Sequence, residues 1–468
     1  MAGAETTVER LRAYLRELSP QARSLLIGEL ERAVLRGDDP AGADLVLQEL
    51  RHIVREQREG GLRVSHAERL FFTPLEPFLV DDRADHKHPG RIARASLDAL
   101  WNWIRRDLVA TEANAYCDAV GEALLAGDEE KAAKLARAFQ DRVGLAIDGA
   151  FAAADDEKLL RRLRSQIGTP RDAADAAALK SVLKGRNLLS TLGSHLPLRF
   201  GNLTNEQIAD CKAMVESIAA RDRDLMLYSL LMVMNRLAAP WQLIRFGVNA
   251  AGSDTAARVA ESPYGVTVTI VLAELERLVG ELRNDLRSGQ GVAVGVLLKT
   301  IHDCARGLRT ELDLPVDSTW GRALAAQRAQ ISDLLRSEIE SMPGRVRRLL
   351  RPRPSSEIRA NSALDPDEVA ETEALVEFVG ICRTFAGELA ISEMTQRTFS
   401  ELQRYLEDGS RALLEGIRHA GDGDRSFRQS QVDAAVRLCA KVFGKDYAAM
   451  LGKAAEVAQA SERKAARG

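Results

Sequence analysis

Apolar residues recur along most of this chain at intervals of three and four positions, a spacing that places them on one face of an α-helix. The first three stripes comprise Val8, Leu11, Leu15 and Leu18, then Leu26, Leu30 and Ala33, then Leu47, Leu50 and Val54. Short connections between such helices favour antiparallel neighbours. The pattern therefore predicts an all-α protein, built as a multi-helix bundle or an irregular array of antiparallel helices.

Helix-start signals recur further along the chain. Capping residues precede a proline, which suits the first helical turn, at Thr169-Pro170, Ser262-Pro263 and Asp365-Pro366. Thr204 and Gln207 have the spacing of a capping box. The β-branched run 266–271 alternates like a strand, but we interpret it as the beginning of a long helix because a helical pattern follows directly. Another helix is predicted near residues 391–417.

The domain organisation follows from length and from one helix-breaking stretch. A chain of 468 residues is too long for one small core. The segment Pro343–Leu364 is rich in proline, serine and arginine, which predicts a linker at 343–364. We therefore expect a helical domain at 1–342 and a separate C-terminal helical domain at 365–468. In the alternative, the irregular stretch 197–202 divides the first domain in two.

Charge and cysteine usage limit the class of protein. The formal net charge is −3, so no global field attracts nucleic acid or an anionic membrane. The five cysteines are scattered and include no CxxC pair, which is typical of thiols in a reducing compartment. The N-terminus lacks the pattern of a secretory signal, and the most apolar run, 225–234, is too short to span a bilayer. We expect a cytoplasmic protein without a transmembrane segment.

The segment 66–103 has the least ordinary composition of the chain. It concentrates aromatic residues, although aromatics make up only 5% of the protein: Phe71, Phe72, Phe78, Trp101 and Trp103. These side chains either form a cleft that binds a ligand or a protein partner, or they anchor a long loop to the core.

Histidines and acids in the same segment suggest a third interpretation, a divalent metal site. The candidate ligands are His66, Asp82, Asp85, His86 and His88. The alternative is that this polar stretch is the solvated crest of the loop.

A run of arginines in the predicted linker is a candidate anion or phosphate site: Arg345, Arg347, Arg348, Arg351 and Arg353. An acidic segment follows directly, and no aromatic residue interleaves the arginines to stack on bases. A solvated linker, screened by its acidic neighbour, is therefore the competing interpretation, and the pattern argues against nucleic acid.

Catalytic motifs do not provide a function. The dipeptide His302-Asp303 occurs in helical metal-dependent phosphohydrolases, but the further ligands that such enzymes need do not accompany it here. Phosphate-binding, dinucleotide-binding and hydrolase motifs do not occur. Helix content without catalytic chemistry favours an interaction or regulatory protein that binds a protein partner through helical grooves and needs no cofactor. The alternative is a small-molecule-binding or metal-dependent helical enzyme with its site at 66–103. Oligomeric state stays open.

Overall fold

A computed structural model describes most of the chain. The described residues are 66–81, 87–201, 203–288, 294–359, 362–421 and 423–465, with Tyr14, Leu15, Leu18, Ala22, Arg23, Leu26, Leu30, Val46, Leu47 and Leu50. The structure is 80% helical, with α-helices as its main elements and one pair of two-residue strands in the described part. The predicted all-α fold is therefore confirmed.

The chain forms two compact units. Unit 1 comprises 1–79 and 95–201, and unit 2 comprises 80–94 and 202–468. The chain thus passes between the units at 79/80, at 94/95 and at 201/202. The predicted domain boundaries stay a prediction.

Unit 1 contains six helices within the described residues. They are α1 His66–Phe72, α2 Leu97–Trp103, α3 Ala110–Leu125, α4 Glu129–Ala152, α5 Glu157–Ile167 and α6 Pro170–His195. Two tighter or wider turns extend them, a 3-10 segment at Thr73–Phe78 and a π-helical segment at Ile104–Leu108. In the turn between α3 and α4, Gly127 has φ +72°, and the Asp128 carboxylate accepts a hydrogen bond from the Lys131 backbone N–H.

The core of unit 1 lies where α4 packs against α1, α3 and α6. The N-cap predicted at Thr169 is confirmed, and Asp172 forms a capping box with it. Of the first three predicted helices, most residues lie outside the described ones. Within them, Leu15 and Leu50 are buried together, and Leu18, Leu26, Leu30 and Val46 pack against this pair.

Unit 2 contains eleven helices within the described residues. They are α7 Asn205–Ala219, α8 Leu225–Arg236, α9 Gln242–Ala251, α10 Ala256–Glu261, α11 Gly265–Ser288, α12 Val294–Glu311, α13 Thr319–Leu350, α14 Pro366–Thr384, α15 Ser392–Arg418, α16 Arg425–Phe443 and α17 Lys445–Ala465. The strands β1 Leu79–Val80 and β2 Ile92–Ala93 pair, and 3-10 segments occupy Arg94–Ser96 and Ser355–Glu357. The longest helix, α13, packs against α11, α14 and α15.

Several predicted helix starts in unit 2 are confirmed. Thr204 and Gln207 form both bonds of a capping box at α7, and Asp365 caps α14 ahead of its first-turn proline. The run 266–271 is the beginning of helix α11, as predicted. The helix start predicted at Ser262-Pro263 is not observed there. Helix α11 begins only at Gly265, and the Ser262 hydroxyl accepts a hydrogen bond from the Tyr264 N–H in the preceding turn.

The start of the predicted linker is helical. Helix α13 continues through Pro343 to Leu350. Proline removes one backbone hydrogen bond and disfavours a helix interior, but Met342, Val346 and Leu349 are buried around it. Burial of this apolar stripe offsets the local cost, so the helix persists beyond the proline.

Within the segment 80–94, the described residues 90–93 pack against helices of unit 2. Gly90 has φ +68°, and a Cβ atom added to it would collide with the Leu231 side chain of α8. Ile92 and Ala93 are buried. The most apolar run of the sequence forms α8, a largely buried helix, and among the helices described here none combines the length and apolar character that crossing a membrane requires.

Candidate functional site

The five aromatic side chains of the segment 66–103 lie in the interior of unit 1. Each is at most 4% exposed. The Phe71 ring lies 5.4 Å from the Trp101 ring and 5.4 Å from the Phe139 ring, centroid to centroid. The structure therefore places them in the core of unit 1, where they anchor the parts of the segment that belong to this unit.

Two polar side chains next to this aromatic core form hydrogen bonds with the backbone of α1. Gln140 donates its side-chain amide to the carbonyl of Phe71 (2.9 Å), and the Tyr116 hydroxyl donates to the carbonyl of Ala67 (2.7 Å). The Gln140 bond provides a donor for a carbonyl in the last turn of α1, and the Tyr116 bond provides an acceptor for a buried hydroxyl.

The structure describes two of the five candidate metal ligands, and they belong to different units. His66 is exposed at the beginning of α1 in unit 1, whereas His88 belongs to unit 2 and is buried, with its Nδ1 atom 3.9 Å from a Glu276 carboxylate oxygen. Asp82, Asp85 and His86 lie outside the described residues. Within the part of the chain that the structure describes, no three His, Cys, Asp or Glu side chains gather closely enough to hold a metal ion.

The arginine run is largely neutralised by carboxylates. Arg345 pairs with Glu371 of α14 at 3.4 Å, and Arg347 pairs with Glu401 of α15. Two further members have other partners: Arg351 lies 3.6 Å from Glu357, and the Arg353 guanidinium lies over the ring of Phe427 in α16. Arg348 is exposed. These contacts favour the interpretation of a screened segment over that of a phosphate site.

His302 and Asp303 contact each other and their own helix. The His302 Nδ1 atom lies 3.0 Å from the Asp303 carboxylate, and Lys299 pairs with the same carboxylate at 2.7 Å. The His302 ring packs on Phe385 at 5.0 Å. His302 is thus a half-buried histidine within a helix, paired with its neighbour in the sequence.

The five cysteines are free thiols, and four of them are buried. Burial raises the pKa of Cys211 and of Cys439 to about 11, and that of Cys304 and of Cys382 to about 12. Burial also raises the pKa of Cys117. Thiols with raised pKa values remain protonated at neutral pH and are poor nucleophiles.

One carboxyl group in unit 1 has a strongly perturbed pKa. Burial and the Asp98 carboxylate raise the pKa of Glu68 in α1 to about 7, while the charge of Arg105 acts in the opposite direction. Arg105 lies in the π-helical segment and donates to Asn114 at 3.3 Å. Such wide turns often occur at functional sites, and a carboxyl group that titrates near neutrality can exchange protons there. The sequence signal was the position of Glu68, on the same helical face as Phe71 and Phe72.

A second buried charge cluster lies in unit 2. Arg91 lies 3.5 Å from Glu274 of α11, and Arg277 lies 2.8 Å from the same carboxylate. Burial alone would raise the pKa of Glu274, but the charges of Arg277 and Arg91 and the hydrogen bond from Arg277 lower it below its usual value. The cluster is thus an ion-pair network that attaches the segment 80–94 to α11.

Among the described helices of unit 1, α5 has a strong excess of basic over acidic residues. It has four basic residues and one acidic residue, Glu157. The basic residues are Lys158, Arg161, Arg162 and Arg164. Arg161 pairs with Glu157 at 2.9 Å.

The other three basic side chains of α5, Lys158, Arg162 and Arg164, are exposed, and none of them forms an ion pair with a described carboxylate. Elsewhere in the unit, cations such as Arg186 do have partners, here Asp141 at 2.6 Å.

The apolar stripe of α5 is only partly covered. Leu163 and Ile167, in the second half of the helix, are buried where α5 packs on α2, α4 and α6. Leu159, in the first turn, is 40% exposed beside the unpaired cations. The first half of α5 therefore presents a small surface, Lys158, Leu159 and Arg162, that combines positive charge with an apolar side chain. We call these three residues the α5 surface.

Comparisons with protein-family models, with curated proteins and with solved structures find no match to this chain.

Proposed function

We propose that this chain is an interaction protein and that it binds a protein partner through the α5 surface. The proposal rests on two exposed cations without carboxylate partners, Lys158 and Arg162, which neighbour the exposed Leu159 on the helix surface. Protein interfaces combine apolar contact with complementary charge. The raised pKa values of the five thiols also speak against cysteine nucleophiles, which supports a binding role over thiol catalysis. The free thiols further support a cytoplasmic location.

Site-specific photo-crosslinking in the native cell tests the proposal. A photoreactive amino acid replaces Leu159 in the full chain, and the matched control carries it at Leu145, which is 69% exposed on α4. We expect a protein to be crosslinked at position 159 and not at 145, and expect the purified pair to bind. A result with no crosslink at 159, or with equal crosslinks at both positions, would overturn the proposal.

A second candidate function is small-molecule binding at the segment 66–103, and the neutral-range pKa of Glu68 is the observation that favours it. Equilibrium dialysis of the chain against a cell extract, followed by native mass spectrometry, tests it. We expect a ligand that the protein with Glu68→Gln does not retain and that the control Glu122→Gln, at an exposed position of α3, does retain. Equal retention by both variants, or by neither, would contradict this function.

A further inference from the structure

We propose that the partner presents an acidic helix to the α5 surface, with carboxylates spaced four residues apart and an apolar side chain beside them. This inference rests on the proposed function and names the chemistry of its partner. It is carried by the spacing, the charge and the partial burial of α5.

The spacing follows from helix geometry. Lys158 and Arg162 are one turn apart on the same face, which corresponds to about 6 Å along the axis. Carboxylates at positions i and i+4 of a partner helix have the same spacing, so both ion pairs form in one register. Because Arg161 already pairs with Glu157, it competes little for the partner's acids.

The charge of α5 is unfavourable without such a partner. Like charges at i and i+4 repel each other and destabilise a helix, and Lys158 and Arg162 are such a pair. The nearby Asp156 carboxylate is engaged as the N-cap of α5, where it accepts a hydrogen bond from the Leu159 backbone N–H at 2.7 Å. Acidic side chains from another protein would remove the repulsion between the two cations.

The burial of α5 distinguishes a protein partner from an anionic membrane. An amphipathic helix binds a bilayer by placing its apolar face among the lipids. In α5, Leu163 and Ile167 are buried within unit 1 and Leu160 is partly buried, so Leu159 is the one exposed apolar side chain of the helix. One exposed leucine can contact one apolar side chain of a partner helix but offers little surface to a bilayer. Helix α5 also lacks an aromatic residue that would stack on bases.

Fluorescence anisotropy with the full chain tests the inference. The probe is a labelled peptide of about 18 residues, long enough to be helical, with glutamates in i, i+4 pairs and leucines next to them. We expect it to bind, and expect binding to weaken at least about tenfold when Lys158→Glu and Arg162→Glu are combined or when salt is raised to about 0.5 M. The control reversal Lys131→Glu with Lys134→Glu, on α4, should leave the affinity within about twofold, as expected for cations distant from the contact.

Three outcomes would overturn the inference. They are equal binding of a peptide with glutamines in place of the glutamates, unchanged binding by the α5 reversal, and binding of anionic vesicles through Lys158 and Arg162 without peptide binding. The neutral variant Lys158→Gln with Arg162→Gln, checked by circular dichroism, separates loss of contact from loss of fold. If photo-crosslinking at 159 identifies a partner segment without acids, the inference fails while the proposed function stands.

Discussion

Gln140 in α4 holds the end of α1 by donating its side-chain amide to the backbone carbonyl of Phe71 over 2.9 Å. The amide also lies 3.3 Å from the carbonyl oxygen of Leu70. We expect Gln140→Leu to destabilise the protein by about 1–3 kcal/mol, because two carbonyl groups of a buried turn lose their donor. Urea unfolding followed by tryptophan fluorescence measures this. The exposed Gln166→Leu is the control, and an equal loss in both variants would contradict the assignment.

Gly307 of α12 lies against the indole of Trp241. A Cβ atom at this position would lie 2.6 Å from the Trp241 Cβ atom. Gly307→Ala should therefore cost about 1–3 kcal/mol through overpacking. Gly280→Ala, in the interior of α11 with open space around it, should instead stabilise the protein by about 0.5–1 kcal/mol. Thermal unfolding of the two variants is expected to shift in opposite directions, and parallel shifts would be evidence against close packing at Trp241.

The raised pKa of Glu68 predicts a dependence of stability on pH. Since the pKa is about 7 in the fold against an ordinary 4.5, the folded protein holds this proton more tightly than the unfolded chain. The stabilisation from Glu68 is complete below about pH 4.5, declines as the pH rises and is lost above about pH 7. The variant Glu68→Gln lacks this decline. The free energy of unfolding of the variant should therefore increase relative to that of the native protein as the pH rises from about 5 to about 8.

Chemical denaturation across that range measures the difference. Glu122→Gln, at an exposed position of α3, changes the net charge equally and serves as the control. A constant difference between the Glu68 variant and the native protein at all pH values would refute the raised pKa.

Two arginines in the segment 80–94 differ in burial and provide a matched comparison. Arg91 and Glu274 are each 10% exposed in their side chains, whereas Arg94 pairs with the mostly exposed Asp81. Arg91→Met should cost about 3 kcal/mol, near the lower end for a buried pair because Arg277 still contacts Glu274. Arg94→Met should cost less than about 1 kcal/mol. Similar losses in equilibrium unfolding would show that burial does not strengthen the Arg91 contact.

Local sequence signals predicted the helices well, because caps and apolar spacing act within a few residues. Thr204 with Gln207 and Asp365 with its proline begin helices as expected. Pro343 was misleading, since the stripe of Met342, Val346 and Leu349 that keeps α13 helical is stabilised by contacts with distant helices.

The candidate site was harder to predict from the sequence than the helices were. Composition marked the aromatics of 66–103, but composition cannot distinguish core from cleft. In α5 the basic residues were visible in the sequence, yet their significance depends on pairing. Whether a cation such as Lys158 or Arg186 has a carboxylate beside it depends on which helices are neighbours, and a single sequence does not contain that information.

The threefold passage of the chain between its units has a practical consequence for anyone who wishes to study them apart. A fragment 1–201 would contain the segment 80–94 without the helices of unit 2 that this segment contacts. A fragment 202–468 would leave Leu231 without its contact at Gly90 and Glu274 without its ion pair to Arg91. A simple cut at Gly201 thus yields two incomplete products, whereas grafting 80–94 onto the second one restores its missing piece.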